Sequence, residues 1–415
     1  MSKWVLLILV SLIVVSCDKN NDDPTPIPEE EPEKLLNPIY SLSIDTPNGV
    51  GITSKDEYVK EATFTLTTST GELDYSGVTN IKGRGNSTWG APKKPYAIKL
   101  DEKASLMSLP KDKSWVLLAN YYDPTLLRNA VAFFMGNELS NLDYTPHFNF
   151  VNLTLNGQYQ GIYQLGEKIK ISKDRVNVGD DGFLLEIDAK YSADDIIFWC
   201  KKLQAPINIK EPDVVEGDDN YNYVNNFVFT SENVLLSDSF LDENTDYQQY
   251  YDIDSFVDWY LINEIAKNRD AIFFSSCYMS LERGGKLKMG PLWDFDVAFG
   301  NYFFEDNNTN EIHNSVEGFW VRYGLWINRM FEDPSFVDMV KTRFNFYFDN
   351  RETIYKYIDS EAEYISEFIV DENKHWGLLS SPESENNVVI AAYNKEVEKL
   401  KSWLELRFQW LNDNL

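Results

Sequence analysis

Asn268-Arg269-Asp270 and, after a hairpin-like segment, Gly290-Pro291-Leu292-Trp293-Asp294-Phe295-Asp296-Val297-Ala298-Phe299-Gly300 are the stretch on which the reading of this chain turns. The first acidic residue follows a predicted helix over 253–266, whose Ile253, Phe256, Val257, Tyr260, Leu261 and Ile265 share one face. The other two follow a pair of short predicted strands, Ser276–Leu281 and Lys286–Met289, joined at Gly284-Gly285. Carboxylates on loops at strand ends suit metal-assisted phosphoryl transfer, in which one orients a hydroxyl nucleophile and another holds the metal. An Asp-x-Asp is also a common surface loop. The flanking sequence decides between the two.

Working towards the N-terminus, Ile81-Lys82-Gly83-Arg84-Gly85-Asn86-Ser87-Thr88-Trp89-Gly90 precedes Lys93-Lys94-Pro95-Tyr96-Ala97-Ile98-Lys99-Leu100. Gly83 and Gly85 permit a tight turn with exposed N–H groups, a device for cradling phosphate, although a short Gly-x-Gly is equally an ordinary hairpin. The following strand ends in Ala-Ile-Lys, the placement that sets a Lys against nucleotide phosphates in kinases. Lys93, Lys94 and Lys99 compete for that role. Asp123-Pro124 predicts a helix over 124–139 with Asp123 as N-cap and Pro124 in its first turn. Phe148–Leu155 and Gln158–Leu165 read as a hairpin about Asn156-Gly157, closing on Gly166-Glu167-Lys168. Gly182–Asp188 reads as a strand with acids at its exit, and roughly 195–250 resists assignment. Beyond 330 the pattern is helical, with Tyr393, Val397, Leu400, Leu404, Phe408 and Leu411 forming a packing stripe. Lysine, post-helix Asp, post-strand Asp is the order found in kinases.

Composition bounds the alternatives. With 43% hydrophobic and 14% aromatic residues among 415, the chain can bury a large core, which excludes wholesale disorder. Its formal charge is −28, of which Asp18–Lys34 supplies only −5, so the acidic excess belongs to the folded part. Such a surface repels phosphate backbones and argues against a nucleic-acid partner, without excluding a locally basic nucleotide pocket. Residues 1–17 read as a signal segment: Lys3, an apolar run Trp4–Val15 short for a bilayer span, then Ser16-Cys17. Val14-Val15-Ser16-Cys17 resembles a bacterial lipobox, which makes Cys17 the lipidation site. Residues 18–37, acidic and Pro-rich, read as an extended tether. This places the protein on the cell envelope, at the outer membrane or cell surface. Cys200 and Cys277 read as two buried free thiols in preference to a disulfide. The three His show no zinc-protease spacing.

Lys82-Gly-Arg-Gly-Asn-Ser-Thr-Trp89, Lys93–Leu100, Leu155–Tyr163 with Glu167-Lys168-Ile169, Asn268-Arg-Asp270 and Pro291–Asp296 with Phe299-Gly300, taken together and in order, resemble the spore-coat protein H (CotH) kinase-like family over about residues 39–350. The lipobox and tether are similar to those of lipoprotein members from Bacteroidetes-type bacteria. The resemblance implies an α+β, atypical protein-kinase-like fold, with a β-rich lobe over 38–190 and a helical lobe over 191–415. It further implies ATP, with Mg²⁺ or Mn²⁺, between the lobes, and transfer to Ser/Thr or another hydroxyl of a surface protein. Asp270 then matches the catalytic-loop Asp, Asp294 the metal-binding Asp and Asp296 its helper. Gly83, Arg84, Gly85 and Lys99 match phosphate-facing positions. Glu167 is the expected carboxylate partner of Lys99, with Glu138 as alternative. Ser275 stands where many kinase-like loops carry a second metal-binding Asn, so metal binding would rest on Asp294 and Asp296. Other family members are adhesive surface proteins, so the competing expectation is a non-catalytic binding module whose aromatic residues furnish the ligand face.

Overall fold

The computed structural model describes residues 39–242, 246–304, 307–379 and 385–415. The signal segment, Cys17 and the tether lie outside the described residues. Period-two alternation builds the first sheet: β1 (Tyr40–Asp45), β2 (Val59–Thr67), β3 (Leu73–Gly83), β4 (Tyr96–Ala104), β5 (Asp112–Leu118), β6 (Phe148–Leu155) and β7 (Gln158–Glu167). Neighbours are antiparallel in the order β1-β2-β3-β4-β5-β7-β6, and a parallel pairing of β1 with β6, Tyr40 opposite Val151, closes a barrel. Phe64, Leu66, Ile81, Ile98, Leu100, Trp115, Leu117, Leu153 and Leu165 fill its interior. Each such buried side chain stabilises the fold by about 1.5–3 kcal/mol. Asn156 and Gly157, at φ 51° and 73°, make the tight turn their sequence predicts.

A second antiparallel sheet, in the order β12-β11-β8-β10-β9, joins β8 (Phe183–Ile187), β9 (Ile197–Cys200), β10 (Ala205–Glu211), β11 (Cys277–Leu281) and β12 (Leu287–Met289). On sequence grounds β8 fell within the β-rich lobe ending at 190; its hydrogen bonds go instead to β10 and β11, at the centre of this sheet. The same alternation gives β8 two faces. Phe183, Leu185 and Ile187 enter the helical core, which leaves Glu186 and Asp188 on the face towards the barrel.

The helices are α1 (Ser87–Gly90), α2 (Arg128–Phe134), α3 (Asp219–Leu235), α4 (Ile253–Ala266), α5 (Asn307–Asn314), α6 (Leu325–Met330), α7 (Pro334–Asp349), α8 (Arg351–Ile365), α9 (Ile369–Trp376) and α10 (Asn386–Asn414). The architecture is α+β. All residues of α4 except Asp254 are buried, and α10 lays its predicted apolar stripe against this core. The helix expected over 124–139 starts only at Arg128 and continues as a π-helical turn over Met135–Leu139. Leu126 takes a left-handed φ of 63°, which breaks a helix begun at Pro124. Asp123 accepts hydrogen bonds from the N–H groups of Thr125 (2.9 Å) and Arg128 (2.8 Å) and pairs with the Arg128 guanidinium.

One contact fastens the C-terminal helices to the barrel. Glu372 on α9 accepts from Lys93 Nζ at 2.6 Å and from the Ile162 N–H at 2.7 Å, with both charged side chains buried. Gly161 makes room: a Cβ there would lie 2.2 Å from Glu372 Oε2, and its φ of 99° already disfavours other residues. Cys200 and Cys277 are buried and free.

Candidate active site

A cavity of about 510 Å³ lies between the outer face of the barrel and the second sheet, within the size range of small-molecule sites. The barrel supplies positive charge to it. Gly85, at φ 86°, turns the chain after β3 so that Arg84 enters the cavity, where its guanidinium lies 5.0 Å from the centre of the Trp293 ring. Burial depresses the Arg84 pKa, with Tyr278, Asp294 and Glu186 opposing the shift. An arginine stays charged regardless. Lys168, the first residue after β7, projects into the same cleft. Partial withdrawal from water lowers its ammonium pKa; Glu211 opposes this, while Lys170, Arg84 and Lys210 reinforce it. Two N–H groups of the expected backbone cradle are engaged: Gly83 donates to Ser54 O (2.8 Å) and Arg84 to Pro95 O (3.1 Å). The Arg84 side chain of this loop is directed into the cavity.

The second sheet faces the barrel with a polar row. Register aligns Asn208, Glu186 and Tyr278 across β10, β8 and β11. Glu186 lies 3.2 Å from Lys210 Nζ and hydrogen-bonds to the Tyr278 side chain. Burial pushes its pKa up to about 7, with Lys210 opposing. A carboxyl whose folded pKa exceeds its unfolded value stabilises the protein fully at low pH, and that stability is lost as pH rises through the folded pKa. Glu186→Gln is therefore expected to gain about 2–3 kcal/mol relative to wild type between pH 5 and 8. Urea unfolding at the two pH values measures this, and a difference independent of pH contradicts it.

Helix α4 delivers Asp270. Lys267 ends the helix in a left-handed conformation (φ 48°), donating to the carbonyls of Ile312, Ser315 and Glu317 at 2.6–2.9 Å. A 3₁₀ turn, Arg269–Ala271, then presents Asp270 beside Arg269 Nη1 (3.1 Å) and Lys190 Nζ (3.5 Å). Asn268 Nδ2 donates to Asp294 O at 3.4 Å, tying this turn to the segment after β12. A chain of amides fixes that segment from the barrel side. Asn120 donates to Gln164 (2.8 Å), Asn129 to Asn120 (3.0 Å), and the Phe295 N–H to Asn129 (2.7 Å).

Asp294 occupies a left-handed backbone position, φ 68°, and accepts from Ser276 Oγ at 3.3 Å. Burial raises its pKa, Asp270 adds to the rise, and Lys190 and Arg84 oppose it. Asp296 is raised further, by burial and then by Asp294, Asp123 and Asp270. Closely spaced hard oxygen donors that repel one another suit a divalent cation. Among the described residues, no three His, Cys, Asp or Glu close into a protein-only metal cage. Mg²⁺ in general takes one or two carboxylates from a protein when phosphates complete its shell. The residues present fit such an ion. Ser275 does not aim at it: its hydroxyl is committed to Asp188 Oδ1 at 2.7 Å.

The structure thus gathers Arg84, Asp294 and Asp296 along one cleft and sets Asp270 at its edge. It does not bring Lys99 to them. Ala97 lines the cleft, but Lys99, one strand step further along β4, is exposed opposite Asn80 and Ser114. Glu167, expected to pair with it, is fully buried and accepts from His147 N (3.1 Å) and Tyr144 Oη (3.2 Å), with Arg175 Nε at 3.5 Å. Glu138 is exposed on the π-helical turn. The rival lysines are engaged as well, Lys93 with Glu372 and Lys94 with the Trp89 carbonyl (2.6 Å). Sequence reasoning passed over Lys168, Glu186, Asp188, Lys190, Lys210 and Tyr278. Polar residues at alternate positions of the otherwise apolar Phe183–Asp188 were the available signal.

The family model described as CotH kinase protein matches residues 81–411, a span containing every cleft residue from the glycine loop onward. The chain is similar to the inner spore coat protein H of Bacillus subtilis (strain 168), with 24% identity over 187 residues. That match covers 44% of this chain and 49% of the relative, about half the length of each.

Proposed function

The chain belongs to the CotH kinase family, and from that premise we propose that it is a phosphotransferase using ATP and a divalent cation, with a hydroxyl of a protein as acceptor. The barrel acts as the small lobe of a kinase-like pair, and the second sheet with its helices acts as the large one. What carries this reading is the opposition of charges across one cleft: Arg84 and Lys168 on the barrel side, Asp294 and Asp296 on the other, with Asp270 at the edge. Arg84 and Lys168 hold phosphate oxygens. Asp294 and Asp296 would hold the cation, which would supply charge neutralisation at the phosphates. Asp270 orients the acceptor hydroxyl and accepts its proton as the new oxygen–phosphorus bond forms and the bond to the departing diphosphate breaks. The lipobox, Cys17 and the tether support an envelope lipoprotein acting on surface proteins. No helix among the described residues is long and apolar enough to cross a membrane.

Calorimetric titration with an ATP analogue, with and without Mg²⁺, tests the reading alongside transfer of labelled γ-phosphate to casein. Saturable, cation-dependent binding and labelled protein are expected. A folded protein that binds no nucleotide and transfers no label, yet retains a surface ligand after both Asp270 and Asp294 are replaced, would be a binding module.

A further inference from the structure

We propose that Lys190 is the catalytic lysine of the cleft, contacting the transferring phosphoryl group and releasing Asp270 as it does so. The assignment rests on the phosphotransferase reading and deepens it.

Lys190 belongs to neither the glycine loop nor the Asp270 turn. It follows β8, where its N–H donates to Asp188 Oδ1 at 2.8 Å and its carbonyl accepts from Asn86 Nδ2 at 3.4 Å. Asp188 is itself held by the Ser275 hydroxyl, and Asn86 follows Gly85. The backbone of Lys190 is thus pinned between the barrel loop and the Asp270 loop, while its side chain is 42% exposed within the cleft. Its Nζ lies 3.5 Å from Asp270 Oδ2 and 5.6 Å from the centre of the Phe274 ring. Asp270 accepts the acceptor proton and Asp294 faces the cation. A positive charge paired with Asp270, in the cleft that Asp294 also lines, stands beside the group that moves between them.

Without nucleotide, Lys190 pairs with Asp270 Oδ2 and occupies that oxygen. A terminal phosphoryl group, carrying more charge than one carboxylate, draws the ammonium away. Asp270 Oδ2 is then open to the hydroxyl proton, while Arg269 keeps its hold on Oδ1. No proton leaves Lys190, and no bond to it forms or breaks.

The test compares Lys190→Met and Lys190→Arg with wild type, using ADP and a non-hydrolysable ATP analogue, each with Mg²⁺. A partly exposed side chain can be truncated without loss of the fold, and thermal unfolding verifies this. Lys190→Met is expected to lower kcat for transfer by about 10²–10³-fold. It should also abolish the preference for triphosphate over diphosphate while sparing ADP affinity, and Lys190→Arg should restore part of both. Equal loss of affinity for the two nucleotides would show a structural role and overturn the proposal. So would wild-type turnover in Lys190→Met. If wild type binds neither nucleotide, the cleft reading itself fails and takes the assignment with it; wild-type binding with an indifferent Lys190→Met removes the assignment alone.

Discussion

Asp270→Ala is expected to lower phosphoryl transfer by about 10²–10⁴-fold with nucleotide affinity within about threefold of wild type, whereas Asp294→Ala loses both. Under the proposed function the two carboxylates do different work. Asp270 sits at the edge of the cleft on a helix-terminal turn, where it meets an acceptor; its removal affects the step in which the hydroxyl proton moves. Asp294 lies deeper, its backbone held by Asn268 and its carboxylate by Ser276. In its place the cation keeps only Asp296, and the triphosphate loses the charge that offsets its own. Isothermal titration with Mg²⁺ and nucleotide separates the two variants independently of any acceptor. Equal loss of nucleotide binding in both would assign Asp270 to the metal instead.

Arg407→Leu is expected to destabilise the fold by about 3–5 kcal/mol, because it leaves a buried carboxylate without its counter-charge. Arg407 on α10 is fully buried and reaches Glu264 Oε1 (2.8 Å), Glu264 O (2.9 Å), Val316 O (2.7 Å) and Gly318 O (2.8 Å). Glu264, also fully buried, accepts from the N–H groups of Trp320 and Arg322, both at 2.8 Å. Burial raises the Glu264 pKa, and Arg407 is the first group opposing it. Without the arginine this carboxyl takes up a proton or loses its place near the end of α4, and the turn bearing Asp270 moves with it. Pairing Arg407→Leu with Glu264→Gln should cost less than the two single changes summed, since the charge is then removed with its partner. Urea denaturation measures all three. A loss under about 1 kcal/mol in Arg407→Leu would show that water compensates the carboxylate.

Much of the architecture was legible from local pattern. The Asn156-Gly157 hairpin, helix α4, the stripe on α10 and the short strands flanking Gly284-Gly285 lie where periodicity and turn chemistry put them. Barrel closure was not legible, because β1 meets β6 across more than a hundred intervening residues and nothing in either strand names its partner. Asp270, Asp294 and Asp296 could be singled out because each follows an element whose end is readable; Glu186, on a buried strand, and Asp188, at its end, were not. Of the cationic half, Arg84 was singled out, while Lys168, Lys190 and Lys210 escaped. Lys99 has a suggestive neighbourhood, but the reach of the cleft along β4 is set by how the second sheet meets the barrel. That contact belongs to the whole fold. Ser275 shows the same limit: its type argued against metal binding, while its actual work, holding Asp188, depends on a strand far earlier in the chain.

The bond between Lys93 and Glu372 also bears on the order in which the protein can be made. The barrel is encoded early, yet its buried ammonium meets its counter-charge only after another 279 residues have been added. A chain that has emerged only as far as its seventh strand, from ribosome or membrane, has therefore not completed the barrel: Lys93 must remain hydrated, or the barrel must stay partly open, until α9 emerges. The last helices are thus the final step in completing a domain that begins at the other end of the chain, and a chain ended before them is expected to be a substrate for proteases.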